Sequence, residues 1–249
     1  MKKSLLIPYI TSGFPSKKLF IPILRTLSEN GADFIEVGVP HSDPLADGPV
    51  IQHSSKMALE NNVSLKWIIE TLRATSQQMK PLILFSYLNP ILKYGFEKLL
   101  KDLPKPLFYG LIIPDLPLEE AQKYLPLFKK HKLNLIPLVA LTTKRDKIKR
   151  IVGACHGMPS GFIYLVSVTG TTGVRKTLSP ELKKKIKEIK SFTSKPVVVG
   201  FGISDSKQAS QILSYGADGV VVGSAIIKVL DNGKPKSLNS LKKFICSFK

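Results

Sequence analysis

Glu36 lies inside the apolar run Phe34–Val39. A carboxyl in such a run is costly to bury unless it is used or satisfied. Burial raises its pKa toward neutrality, the range a general acid or base needs. Asp47 follows on the segment His41-Ser42-Asp43-Pro44-Leu45-Ala46-Asp47-Gly48-Pro49, close enough to share a pocket with Glu36. A buried, tunable carboxyl with a wetter partner can divide acid and base roles. Pairing of Glu36 with a lysine or a backbone group is the structural alternative.

Three glycine-bearing segments add a second chemistry. They are Gly170-Thr171-Thr172-Gly173, Gly200-Phe201-Gly202-Ile203-Ser204 and Gly223-Ser224-Ala225. Each follows an apolar run. Glycines let backbone N–H groups approach an anion closely, and Ser224 adds a hydroxyl donor, so a phosphorylated substrate is expected. Gly170 to Gly173 is long enough to serve as a closing lid as well. His41, His53, Asp43 and Asp47 are ligand types for a metal. His53 falls in a helical pattern, however, and no metal is expected. No nucleophile elbow and no HExxH occurs in the sequence.

The elements that must position these residues alternate along the chain. Eight apolar runs can be marked: Leu5–Ile10, Phe34–Val39, Leu82–Leu88, Leu107–Ile113, Leu135–Leu141, Phe162–Val168, Val197–Phe201 and Val220–Val222. They are continuous rather than alternating, as strands buried on both faces read. None contains a lysine, so a Schiff-base aldolase lacks its amine. Helical periodicity fills the gaps. Ser64 is placed to cap a helix through Leu65, Ile68, Ile69 and Leu72. Leu118 to His131 carries acids early and bases late. Pro180 and Glu181 open another helix, Ser204 to Tyr215 stops at Gly216, and Ser237 to Phe248 forms the last. Strand and helix alternating eight times predict an α/β protein, a (β/α)8 or TIM barrel, with residues 1–249 as one domain. Gly31-Ala32-Asp33 before one run echoes Gly216-Ala217-Asp218 before another, as a repeated unit would. In such a barrel, function gathers at the C-terminal strand ends, where all the residues above fall.

The 249 residues carry 37 Lys and Arg against 18 Asp and Glu, a net charge of +19. The basic clusters Lys129-Lys130, Lys144–Arg150 and Lys183–Lys190 sit in amphipathic helical patterns without interleaved aromatics. Solvated helix faces are therefore expected, with no nucleic acid as partner. No apolar run approaches the roughly 18 residues that span a bilayer, so no membrane is expected either. Two cysteines, Cys155 and Cys246, make no disulfide framework, and a cytoplasmic location is the simplest expectation.

Taken together, Phe34-Ile35-Glu36-Val37-Gly38-Val39-Pro40 and Ser42-Asp43-Pro44-Leu45-Ala46-Asp47-Gly48-Pro49-Val50-Ile51-Gln52 closely resemble the signature of tryptophan synthase α subunits. Tyr87-Leu88-Asn89-Pro90, Pro114-Asp115-Leu116-Pro117, Gly161-Phe162-Ile163-Tyr164, Thr169-Gly170 and Gly223-Ser224-Ala225-Ile226 extend the resemblance over nearly the whole chain. The resemblance implies a lyase of tryptophan biosynthesis that cleaves indole-3-glycerol phosphate to indole and glyceraldehyde 3-phosphate by a retro-aldol reaction. It implies Glu36 as acid–base residue and Asp47 as the group that stabilises the indole N–H. It implies phosphate at Gly173, Gly202, Gly223 and Ser224, and an indole wall of Tyr9, Phe85, Tyr87, Tyr164 and Phe201. It implies no cofactor in this chain, and a β subunit holding pyridoxal phosphate as partner in an α2β2 heterotetramer. The loops after strands two and six would face that partner.

Several positions depart from the family pattern. Only Met1 to Ser4 precede the first strand, where the family usually has a short helix. Phe14 stands for an acid, His41 for a phenylalanine and Val168 for an arginine. These changes lie near the catalytic face. They motivate a second expectation, a weakened α subunit that acts mainly as allosteric activator of its β partner.

Overall fold

Seven of the eight apolar runs become one strand each, and the fifth becomes two. The strands of this computed structural model are β1 (Leu5–Thr11), β2 (Ile35–Gly38), β3 (Leu82–Phe85), β4 (Phe108–Ile112), β5 (Asn134–Leu135), β6 (Leu138–Ala140), β7 (Ile163–Val166), β8 (Val197–Gly200) and β9 (Gly219–Val222). The structure describes residues 4–75, 78–154, 161–167, 180–200, 202–231 and 236–248. The helices between and after the strands are α1 (Phe20–Glu29), α2 (Pro49–Glu60), α3 (Leu65–Ala74), α4 (Leu88–Tyr94), α5 (Phe96–Asp102), α6 (Leu118–His131), α7 (Arg145–Ala154), α8 (Pro180–Lys190), α9 (Ser206–Ser214), α10 (Ser224–Leu230) and α11 (Lys236–Cys246).

The strands are parallel, in the order β5-β4-β3-β2-β1-β9-β8-β7-β6. The two end strands are halves of one extended segment. Its first half pairs with β4, Gly110 opposite Asn134, and its second half with β7, Leu138 opposite Tyr164. Between them the Ile136 N–H donates to the Leu111 carbonyl at 2.9 Å, and the Pro137 carbonyl accepts from the Tyr164 N–H at 3.0 Å. The segment therefore joins both edges and closes the barrel. Sequence reading makes it a single strand; Pro137, which has no N–H to donate, divides it.

Alternation along each strand sorts side chains into two cores. Ile7 and Tyr9 of β1, Ile83 and Phe85 of β3, and Val198 of β8 fill the barrel interior. Leu6, Ile10, Leu82, Leu84, Val197 and Val199 face the helices. Both faces are buried, which is why the runs read as continuous. Val37 and Ile35 of β2 join the outer core, so Glu36 between them takes an inward position.

The helix signals hold in most details. Ser64 Oγ accepts from the Trp67 N–H at 3.2 Å. The C-terminal turn of α6 carries Lys129, Lys130 and His131. The helix after β8 is capped by Asp205, whose side chain accepts from the Gln208 N–H at 2.9 Å, so it begins two residues after the Ser204 start read from sequence. Helix α4 takes Leu88, which reads from sequence as the end of a strand. Lysines on α6 and α8 pair with acids, Lys130 with Glu97 at 2.7 Å and Lys190 with Asp218 at 2.9 Å. No helix among the described residues is long and apolar enough to cross a membrane.

The Gly-Ala-Asp echo is structural. Asp33 donates its N–H to the Leu6 carbonyl at 2.9 Å and accepts the Leu6 N–H at Oδ2 at 3.0 Å. Asp218 does the same with Val197, at 2.8 and 2.9 Å. Each aspartate thus ties the entry of one strand to the entry of its neighbour, at the barrel end away from the functional loops. Asp33→Ala or Asp218→Ala leaves a strand N–H unpaired and is expected to lower unfolding free energy by about 1–3 kcal/mol in urea titrations. Asp218→Asn, which keeps an acceptor, should recover most of that loss.

Candidate active site

Glu36 sits opposite Tyr9 of β1 and Ile83 of β3, as the second of the four residues of β2. Only 1% of it is exposed, and its Oε1 has no hydrogen-bond partner. Burial pushes its carboxyl up to about 8. Two tyrosines close over this level of the barrel. The Tyr9 ring lies where a Cβ on Gly38 would stand, and the Tyr164 ring where a Cβ on Gly200 would stand. Both glycines occupy the inward place at the end of a strand, so the rings need them. Burial raises both phenols well above their usual value, helped by Asp47 at Tyr9 and by Glu36 at Tyr164.

Asp47 arrives from the β2–α2 loop and is 6% exposed. Its backbone is held on two sides. Its N–H donates to the Pro44 carbonyl at 3.0 Å, and its carbonyl accepts from Gln52 Nε2 at 2.9 Å. Gly48 then caps α2, with Pro49 in its first turn. Burial raises the Asp47 carboxyl to about 6, and a hydrogen bond from Tyr87 opposes the rise. Two carboxyls with separated pKa values can hold a proton and a charge at once near neutral pH.

One cavity of about 1020 Å³ gathers these groups. Tyr9, Glu36, Asp47, Phe85 and Tyr164 line it, and so do Gly202, Gly223 and Ser224. Gly202 has φ +80°, a left-handed backbone that favours glycine. Tyr87, expected as a ring wall, is not among the lining residues. Its hydroxyl accepts from the Ala46 N–H at 2.9 Å and donates to Asp47 Oδ2 at 3.2 Å. Gly173, Phe201, Val168 and Cys155 lie outside the described residues. Leu138 and Val166 also line the cavity and were not picked out from sequence. Their signal was available, since Val166 is two residues beyond Tyr164 and so faces the same way.

Two of the departures now have a physical account. Phe14 is 1% exposed, and its ring meets His53 edge-on at 6.4 Å, so it fills core space. His41 lies against Tyr87 with ring centroids 4.9 Å apart and planes 30° apart, as another flat ring would. His53 itself lies 3.4 Å from Asp231 at the end of α10.

A parallel (β/α)8 barrel whose cavity gathers a buried carboxyl of raised pKa, a second carboxyl on the next loop and glycines at the strand ends places this chain among the α/β-barrel proteins with a site for a small molecule. Residues 1–249 match the profile of the family described as tryptophan synthase alpha chain. The tryptophan synthase alpha chain of Picosynechococcus sp. is 44% identical over 98% of this chain and 92% of its own length. That of Microcystis aeruginosa is 45% identical over the same shares. Among solved structures, tryptophan synthase of Mycobacterium tuberculosis superposes with a TM-score of 0.88 at 34% identity, covering 99% of this chain and 91% of that one. Tryptophan synthase subunit alpha from Campylobacter jejuni gives 0.86 at 33%, covering 100% and 97%. The chain belongs to the tryptophan synthase alpha chain family. It is the lyase of tryptophan biosynthesis that cleaves indole-3-glycerol phosphate to indole and glyceraldehyde 3-phosphate. The family normally works paired with a β subunit.

The buried carboxyl has a thermodynamic signature. Folded Glu36 holds its proton up to about pH 8, whereas the unfolded group ionises near 4.5. Between those values the folded state binds the extra proton, so stability falls as pH rises. Glu36→Gln has no such proton to lose. Its Tm should match the wild type near pH 5 and exceed it by several degrees at pH 8. A gain that is largest at low pH would refute the assignment.

Proposed function

We propose that Glu36 and Asp47 carry out the cleavage between them. The observation behind this reading is the buried Glu36 carboxyl, its Oε1 without a hydrogen-bond partner, sharing a cavity with a more acidic loop carboxyl. Glu36 starts protonated and gives its proton to C3 of the indole ring. The ring becomes a cation, and its N–H is stabilised by the Asp47 carboxylate. The Glu36 carboxylate then removes the proton of the glycerol hydroxyl on the carbon attached to C3. The C3–carbon bond breaks, its electron pair restores the aromatic ring, and the hydroxyl carbon becomes the aldehyde of glyceraldehyde 3-phosphate. Glu36 ends protonated, as it began, so no net proton is exchanged.

Tyr9, Phe85, Tyr164 and Phe201 would wall the indole, with Tyr164 beside Glu36. The phosphate would rest on backbone N–H groups at Gly173, Gly202 and Gly223 and on Ser224. This division keeps the anionic end of the substrate on donors and its ring among apolar groups. The chain itself would use no cofactor. Its β partner would hold pyridoxal phosphate and receive the indole within a cytoplasmic α2β2 heterotetramer.

Indole release from indole-3-glycerol phosphate tests the reading, with the chain alone and with β subunit in excess. Release should rise with the β subunit and drop by about 10²-fold or more in Glu36→Gln. Asp47→Asn should lose a comparable factor. The pH profile of kcat/KM should be bell-shaped. Its acid limb lies near 6, where Asp47 must ionise, and its alkaline limb near 8, where Glu36 loses its proton. A flat profile across that range would overturn these roles.

A further inference from the structure

We propose that Tyr87 is a positioning residue for Asp47, its single hydroxyl stapling the loop that carries this carboxylate to the end of β3. The inference rests on the reading that Asp47 works on the indole N–H. One oxygen serves two neighbouring residues. It donates to Asp47 Oδ2 at 3.2 Å and accepts from the Ala46 N–H at 2.9 Å. The other contacts of Asp47 fix its backbone and leave the carboxylate free to turn. Among the described residues, no other side chain donates a hydrogen bond to that carboxylate.

The phenol is itself held rigidly. It is 5% exposed, and its ring meets Phe85 edge-on at 6.5 Å and His41 at 4.9 Å on a shallow tilt. The next residue, Leu88, donates its N–H to Asp115 Oδ1 at 2.8 Å, which anchors the start of α4 to the β4–α6 loop. His41 comes from the same β2–α2 loop as Asp47. The loop therefore grips Tyr87 at two places, by a flat ring contact near its start and by hydrogen bonds near its end. A carboxylate oriented in advance loses less on meeting the cationic ring than one that must be turned and ordered.

The test uses the chain with excess β subunit and the variants Tyr87→Phe, His41→Phe and His41→Ala. Two quantities are read: kcat and KM for indole release across pH, and the titration of the Asp47 carboxyl by 13C NMR, assigned with Asp47→Asn. Tyr87→Phe keeps the ring and removes only the hydroxyl. It should lower kcat about tenfold with KM little changed. It should also move the acid limb of kcat/KM and the Asp47 titration to higher pH, since the lost hydrogen bond favoured the charged form. Glu36, Tyr9 and Tyr164 in the barrel, and Asp115 beside Tyr87, face this region and are unchanged in the variant. His41→Phe keeps a flat ring against Tyr87 and should keep the Asp47 titration where the wild type has it. His41→Ala should lie between wild type and Tyr87→Phe.

An unchanged kcat with an unmoved Asp47 titration would overturn the proposal. So would a loss of kcat with the titration unmoved, which would mark a structural role alone. If Asp47→Asn loses activity while Tyr87→Phe does not, the role of Asp47 stands and the staple falls. If wild type releases no indole but Tyr87→Phe shifts the Asp47 titration, the staple stands and the catalytic reading falls.

Discussion

A carboxyl without a hydrogen-bond partner at Oε1, buried inside a barrel, is the constraint on which this structure turns. It is tolerable only while Glu36 is neutral, and the surroundings keep it so. Tyr9 and Tyr164 close over it, and each depends on a glycine at a neighbouring strand end, Gly38 and Gly200. Adding one carbon at either place would displace a ring. The stability given up by burying Glu36 is thus tied to a proton retained at neutral pH.

Asp47 has a different setting. It lies beside the same apolar space on a loop, where a hydrogen bond from Tyr87 favours its charged form against the effect of burial. Strand and loop environments leave Glu36 with the higher and Asp47 with the lower of two raised pKa values. The opposite end of the barrel carries another pair of carboxylates with another task. Asp33 and Asp218 accept strand N–H groups and hold the entries of β1 and β8. Acids at the loop end line the cavity, and acids at the other end hold the sheet.

Much of this was legible in the sequence. Strands buried on both faces give unbroken apolar runs, so all eight barrel strands could be marked, and Glu36 stood out as the charge among them. The Gly-Ala-Asp repeat was visible, although its paired hydrogen bonds needed coordinates. Pro137 was visible too, but only the two different neighbours of its strand reveal that it marks a division. Helix α4 begins at Leu88, which the apolar run Leu82–Leu88 reads as strand, and Pro90 fits in its first turn. Tyr87 was placed in the indole wall by resemblance. Spacing along β3 cannot tell that its hydroxyl reaches the next loop, because that contact joins residues 40 apart in sequence. Phe14 and His41 read as losses on the catalytic face. One is a core side chain and the other preserves a ring contact.

The divided fifth strand bears on how safely this chain assembles. Until the barrel closes, the growing sheet has two open edges, and open edges recruit other chains. Here one segment meets both edges, through β5, of two residues, and β6, of three, with Pro137 between them. Neither offers a long row of free N–H and C=O groups. A chain caught before closure is therefore a poor template for a second copy, and its own missing half is the partner that fits.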